Sequence, residues 1–281
     1  MPEITSKSNI TSKDALDFHK NGKPGKLQIS ATKPLVTARD LSLAYSPGVA
    51  FPCLEIEKNP DAAYDYTAKG NMVAIISNGT AVLGLGKLGA LASKPVMEGK
   101  AVLFKRFADI DGIDIEVDTA DVDEFVNCVK YLGKSWGGIN LEDIAAPECF
   151  MIEQQLSEKL DIPVFHDDQH GTAIVATAGL LNALTITGRD IKNFKMVVNG
   201  AGAAGIACVE LLKAMGMPSK NVIMCDRKGV ISKSRNDLDQ WKSAHAVETP
   251  HKTLEDALKG ADIAFGLSVK GAFTNDMMLS M

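Results

Sequence analysis

The chain has 281 residues, 46% hydrophobic and 23% charged, with a formal net charge of −5. That is the composition of an ordinary globular chain of one large domain or two smaller ones, and its mild acidity argues against a nucleic-acid binder, which carries a basic surface. The five cysteines (Cys53, Cys128, Cys149, Cys208, Cys225) are widely spaced without a C-x-x-C, which excludes a disulfide scaffold and a zinc site and predicts reduced thiols buried as small apolar groups.

Residues 1–10 are polar and read as mobile, and they lack the apolar core of a leader peptide. No run reaches the length of a membrane span; the cysteine usage fits a reducing cytoplasm. Thr11 with Asp14 three residues on predicts a short helix, closed by "NGKPGK". Residues 28–52, rich in Pro, Ser and Thr, read as loops and turns. "NMVAIISNGTAVLGLG" predicts two strands around Asn78-Gly79. Further strands are predicted at 101–104, 113–117, 138–142 and 162–165, with helices at 121–134, 146–160 (Pro147 in its first turn) and 171–187. The polar stretch 187–193 reads as a boundary. Beyond it come strand 195–199, helix 203–215 and strand 221–225. A helix at 253–259, a strand at 262–266 and the start of a helix near Asn275 follow. Alternating strands and helices predict the α/β class with parallel sheets.

Two segments match G-x-G-x-x-G. The match at 200–205, "GAGAAG", follows a strand, opens a helix of small and apolar residues, and precedes a strand ending in Asp226. Glycines there permit a tight turn and close approach to a pyrophosphate at a helix N-terminus. The bland alternative is a tight turn without a ligand. The match at 84–89, "GLGKLG", is followed by Pro95 in mid-segment and by Lys105 and Arg106 where an acid is needed, and reads as a structural turn. Asp226 favours a free ribose hydroxyl, while Arg227 and Lys228 suit a 2′-phosphate, so NAD and NADP both stay open.

"GINLED" ends in Glu142 and Asp143, and "PVFHDD" ends in Asp167 and Asp168. Both pairs fall at the C-terminal ends of predicted parallel strands, where α/β sheets bind ligands. Four converging carboxylates would raise one another's pKa values without a cation, and Mg²⁺ or Mn²⁺ takes such oxygen ligands. Helix capping explains one of these acids, not two pairs. His166 and His170 have i,i+4 spacing but straddle a loop, and hydrogen-bonding roles suit them better than zinc. The acidic segment 109–124 fails calcium-loop spacing and reads as a solvated face.

These motifs, with "DLSLAYSPGVA", "ISNGTAVLGLGKLGALASKPVMEGKAVLFKRFADID", "GGINLEDIAAPECF", "PVFHDDQHGTAI" and "VVNGAGAAGIAC", resemble the malic enzymes, specifically the shorter bacterial type that often carries a phosphotransacetylase-like domain. The likeness runs from about residue 28 to the end. It implies a substrate and metal domain over 1–165 and an NAD(P)-binding Rossmann-like domain over 166–281. It also implies oxidative decarboxylation of L-malate to pyruvate and CO₂, with hydride passing to NADP⁺ or NAD⁺ (NADP favoured), and a homodimer. By position, Glu142, Asp143 and Asp168 match the family's metal ligands. Tyr45 matches its general acid, Lys100 its general base, and Asp167 an acid assisting that lysine. Gly200, Ala201, Gly202, Ala203, Ala204 and Gly205 match the cofactor loop. Without the resemblance, Lys100 reads as a surface lysine and Tyr45 as a packing residue.

Two departures stand out. Longer malic enzymes have a malate-gripping arginine near the "LGLG" turn; here Ser77, Asn78 or Thr80 are the candidates. The chain also stops at Met281 inside a predicted helix, so a C-terminal truncation is expected. One rival reading is therefore an incomplete piece that folds, binds metal and dimerises without turnover. Another is a related metal-using dehydrogenase of a different hydroxy acid.

Overall fold

A computed structural model describes residues 10–82 and 84–281; the expectation for the first nine residues lies outside them. The chain divides into two units, Met1–Asn140 with Leu160–Pro163, and Leu141–Lys159 with Val164–Met281.

The first unit opens with α1 (Ser12–Lys20), where the Thr11 hydroxyl accepts from Asp14 N and the Asp14 carboxylate accepts from Thr11 N, the reciprocal cap the sequence predicts. The stretch 28–52, read as loops, instead contains α2 (Ala38–Ala44) and the start of α3 (Ala50–Lys58). The missed signal is a second reciprocal cap between Thr37 and Asp40, hidden among nearby prolines. A turn of helix, α4 (Ala63–Tyr66), leads to β1 (Met72–Ser77). Among the described residues no second strand follows directly on Gly79, only an isolated bridge between Val82 and Gly86. Gly79 has φ +64°, and its carbonyl accepts from both Leu88 N and Gly89 N, closing a glycine turn.

From that turn springs α5 (Ala90–Ala108), which corrects two expectations: residues 101–104 are helical, and Pro95 lies inside the helix. Pro95 removes one bond, toward Leu91, on an exposed face, while Ala90, Ser93, Met97 and Ala101 are buried at helical spacing. The chain returns as β2 (Asp111–Glu116), parallel to β1 with Met72 opposite Asp111. Gly112 lets the helix close in: a Cβ there would stand 2.9 Å from Ala101. Of the acidic segment 109–124, Asp109, Asp111, Asp118, Asp121, Asp123 and Glu124 are exposed as expected, but Asp114 and Glu116 are not, because Lys94 bridges them at 2.6 and 3.2 Å. After α6 (Val122–Leu132), which buries Phe125, Val126 and Val129, the chain enters β3 (Gly138–Leu141), and β1 lies between β2 and β3.

The second unit holds α7 (Glu148–Lys159), with Pro147 just before it rather than in its first turn. Next come β4 (Val164–His166) and α8 (Asp167–Thr187), which starts at Asp167, not Gly171. The nucleotide-type sheet follows: β5 (Met196–Asn199), α9 (Ala203–Ala214), β6 (Val222–Asp226) and the short β7 (Gly229–Val230). Then come α10 (Gln240–Ser243), α11 (Leu254–Leu258), β8 (Ile263–Gly266) and α12 (Asn275–Leu279). Strand order is β7-β6-β5-β8; β5 is parallel to both β6 and β8, and β7 is antiparallel to β6. Val197, Ile223, Cys225, Ala257 and Leu258 form its core. Each such side chain contributes about 1.5–3 kcal/mol when large and fully buried. The α/β class therefore holds. Cys53 and Cys128 are exposed, against expectation, while Cys149, Cys208 and Cys225 are buried.

Candidate metal centre and nucleotide turn

The buried strand β3 delivers Glu142 and Asp143 directly beyond its end, and they are only 5% and 3% exposed. Asp143 has φ +54°, a left-handed conformation uncommon for a non-glycine residue and frequent at functional sites. In that conformation its N–H donates to Asp168 Oδ2 at 2.8 Å. Ligand oxygens of Glu142, Asp143 and Asp168 lie within 4.8 Å of one another. Three carboxylates at that spacing, two of them buried, repel strongly unless a cation lies between them. An all-oxygen donor set of this kind fits a hard divalent ion such as Mg²⁺ or Mn²⁺.

Asp167 is not a member of the cluster. Its carboxylate fills the space beside Gly171, where a Cβ would stand 2.3 Å from Asp167 Oδ1. Both aspartates lie on the first turn of α8, where the positive end of the helix dipole attracts negative charge. His166 is fully buried, and burial, ahead of any charge, holds its pKa below the usual histidine range. Neither ring nitrogen of His166 has a hydrogen-bond partner among the described residues, so the hydrogen-bonding role expected of that ring is not seen. His170 does bond, at 2.7 Å, to Glu153, and that bond raises its pKa against the opposing effect of burial.

The turn at 200–205 has a distinct requirement at each glycine. Gly200 has φ +126°, and a Cβ there would stand 2.3 Å from Leu267 O. A Cβ on Gly205 would stand 1.8 Å from Gly200 O, so only hydrogen permits this closeness of β5 and α9. Gly202, by contrast, has nothing within 4 Å of its Cβ position: it faces open space, as close approach of a pyrophosphate requires. Ala201 is buried, and Ala203 and Ala204 start α9.

The turn opens onto a cavity of about 860 Å³, lined also by Asp226, Arg227, Lys228, Arg235 and Lys242. Asp226 is not free. Arg235 donates to both its oxygens, at 2.8 and 3.0 Å, and Lys228 N donates to Oδ1 at 2.9 Å. Burial pushes the Asp226 carboxyl up, but Arg235, the Lys228 N–H and Lys242 together bring it below its usual range. Arg235 also grips Asp237, at 2.9 Å from both Nε and a terminal nitrogen. Sequence reading missed Arg235 and Lys242, which sit in what looked like a plain polar excursion; the one available cue was a run of basic residues after Asp226.

Tyr45 and Lys100 belong to the first unit. Tyr45 ends α2 and is 77% exposed; Lys100 lies half-buried on α5. Ser77 and Asn78 are buried in local bonding: Ser77 Oγ accepts from Gly79 N, Thr80 Oγ1 donates to Asn78 Oδ1, and Asn78 Nδ2 donates to Thr119 O. The buried thiols carry no thiolate chemistry, since burial pushes Cys149 and Cys225 up to about 12 and Cys208 to about 11.

Residues 24–121 match the family model of the malic enzyme N-terminal domain, and residues 169–281 that of the malic enzyme NAD-binding domain. The chain is 70% identical over 275 residues to an NADP-dependent malic enzyme of Rhizobium meliloti (strain 1021), covering 98% of this chain and 36% of that one. It is 54% identical to an NAD-dependent malic enzyme of the same organism, covering 95% of this chain and 35% of that one. A crystal structure of an NAD-dependent malic enzyme from Thermotoga maritima superposes with a TM-score of 0.89 at 42% identity, over 97% of this chain and 72% of that one. The chain thus spans about a third of the length of those two curated relatives.

Proposed function

The chain belongs to the malic enzyme family, and from that premise we propose that it carries the site for oxidative decarboxylation of L-malate to pyruvate and CO₂, with hydride passing to NADP⁺. The observation that carries the reading is the acid cluster: Glu142, Asp143 and Asp168 within 4.8 Å, in the same unit as a nucleotide turn whose glycines leave room for a pyrophosphate. These three residues would hold Mg²⁺ or Mn²⁺, which when bound supplies a Lewis acid for the hydroxyl and ketone oxygens of the substrate. Lys100 Nζ would take the hydroxyl proton as hydride leaves the same carbon, with Asp167 assisting that lysine. After CO₂ departs, the Tyr45 hydroxyl would return a proton to carbon to give pyruvate. The implied domains, 1–165 and 166–281, stay part of the proposal, with Glu142 and Asp143 coming from the first and Asp168 from the second.

NADP is the proposed cofactor because Asp226, the acid that would receive a free ribose diol, is held by Arg235. The cavity around it also carries Arg227, Lys228, Lys242 and Lys252, charges that suit a 2′-phosphate. A homodimer is proposed because α1, α2 and α3 bury no residue and leave Leu16, Phe18, Leu41, Leu43 and Phe51 exposed. No described helix is long and apolar enough to cross a membrane, and a cytoplasmic setting is part of the same proposal.

The test is malate-driven reduction of NADP⁺ with and without Mn²⁺, together with Mn²⁺ titration calorimetry. Glu142→Gln and Asp168→Asn are expected to lose Mn²⁺ binding and turnover; Lys100→Met is expected to lose turnover and keep Mn²⁺ binding. Parent-like Mn²⁺ affinity in both ligand variants would overturn the metal assignment.

A further inference from the structure

We propose that Glu153, which lies outside the acid cluster, is a positioning residue for it: its carboxylate locks the junction of β4 and α8 from which Asp167 and Asp168 arise. This rests on the metal reading above. Glu153 sits on α7 with its side chain only 13% exposed, so each of its oxygens must find donors. Among the described residues, its hydrogen-bond donors come from one short stretch. His166 N and His170 Nε2 reach Oε1 at 3.0 and 2.7 Å, and Gln169 Nε2 reaches Oε2 at 3.1 Å.

The local chain explains why an outside group is needed. His166 is the N-cap residue of α8, and its side chain makes no cap bond. Glu153 instead captures the N–H of that residue and places a negative charge at the start of a 21-residue helix, where the dipole favours it. The same turn is tied on another side through Asp168 Oδ2 to Asp143 N. It is thus held at two points, one on α7 and one beside β3. With the α7 tie released, the carboxylate of Asp168 is free to shift against Glu142 and Asp143, and metal sites tolerate displacements of only about 0.2 Å. Groups that orient metal ligands from outside typically change metal affinity about 10–100-fold when altered.

The fold of α7 does not depend on Glu153. Cys149, Phe150, Ile152 and Leu156 anchor the helix, and Phe150 packs on Trp241 with ring centroids 4.6 Å apart. The experiment uses the 281-residue chain, with Mn²⁺ alone as probe, titration calorimetry for affinity and circular dichroism for folding. Glu153→Gln, which keeps size but turns one acceptor oxygen into a donor, is expected to stay folded and to bind Mn²⁺ about 10–100-fold more weakly. His170→Ala removes one tie from the opposite end, at a half-exposed position, and is expected to weaken Mn²⁺ binding by a smaller factor; it decides the matter if the first variant does not fold. Parent-like affinity in the folded variants overturns the positioning role. If Asp168→Asn still abolishes binding, the metal reading survives that failure; if the parent binds no Mn²⁺, both fall.

Discussion

Arg235 shows how one side chain reverses the meaning of another. Asp226 at the end of β6 reads as an acid for a ribose hydroxyl, but both its oxygens are engaged by Arg235. The folded carboxyl lies below its usual range, so the pair's contribution to stability is complete above that range, about pH 3.9, and is lost as pH falls through the folded value. At neutral pH the clamp is intact. Arg235→Ala is expected to leave the Asp226 charge held only by the Lys228 N–H and Lys242, turned toward the cavity. NADP⁺ affinity should fall about tenfold or more, since hydrogen bonds to charged groups are worth about 1.5–3 kcal/mol, while NAD⁺ affinity holds or rises. Calorimetric titration with each cofactor checks this; equal losses for both would mean that Arg235 serves binding in general and not selection.

At the scale of elements, the β5-turn-α9 unit separates folding from binding within four residues. Gly205→Ala drives a Cβ to 1.8 Å from Gly200 O and must displace backbone, a cost of about 1–3 kcal/mol readable in a denaturant midpoint. Gly202→Ala meets nothing and should keep the parent's midpoint, yet lose NADP⁺ affinity by filling the space meant for phosphate. This unit was legible in the sequence because its geometry is dictated locally, residue by residue, as was the cap of α1. α5 was not legible. Pro95 argues against a helix locally, and only the fit of Met97 and Ala101 against Ile75 overrides it. The start of α8 was misplaced for a similar reason, since its N-cap donor is satisfied by Glu153, thirteen residues away. Pairing "INLED" with "FHDD" did locate the acid cluster, yet the left-handed turn at Asp143 that aims its N–H at Asp168 has no sequence signature.

At the scale of the whole molecule, the first unit begins with helices that cannot be stable by themselves. α1, α2 and α3 are nine, seven and nine residues long and bury none of them, and helices shorter than about 12–15 residues are marginal alone in water. In the proposed homodimer a second copy would cover their apolar side chains. Sedimentation velocity is expected to show a dimer, shifted toward single chains by Phe51→Asp or Leu43→Glu, both at exposed positions; a parent that sediments as a single chain contradicts the proposal. The whole chain's stability also meets its chemistry at Gly171. Alanine is better than glycine inside a helix by about 1 kcal/mol. A methyl there would occupy the seat of the Asp167 carboxylate and displace it, a side-chain group and not backbone. Sequence optimisation scored on folding alone would fill that position early, yielding a chain whose Asp167 no longer stands where the helix now keeps room for it.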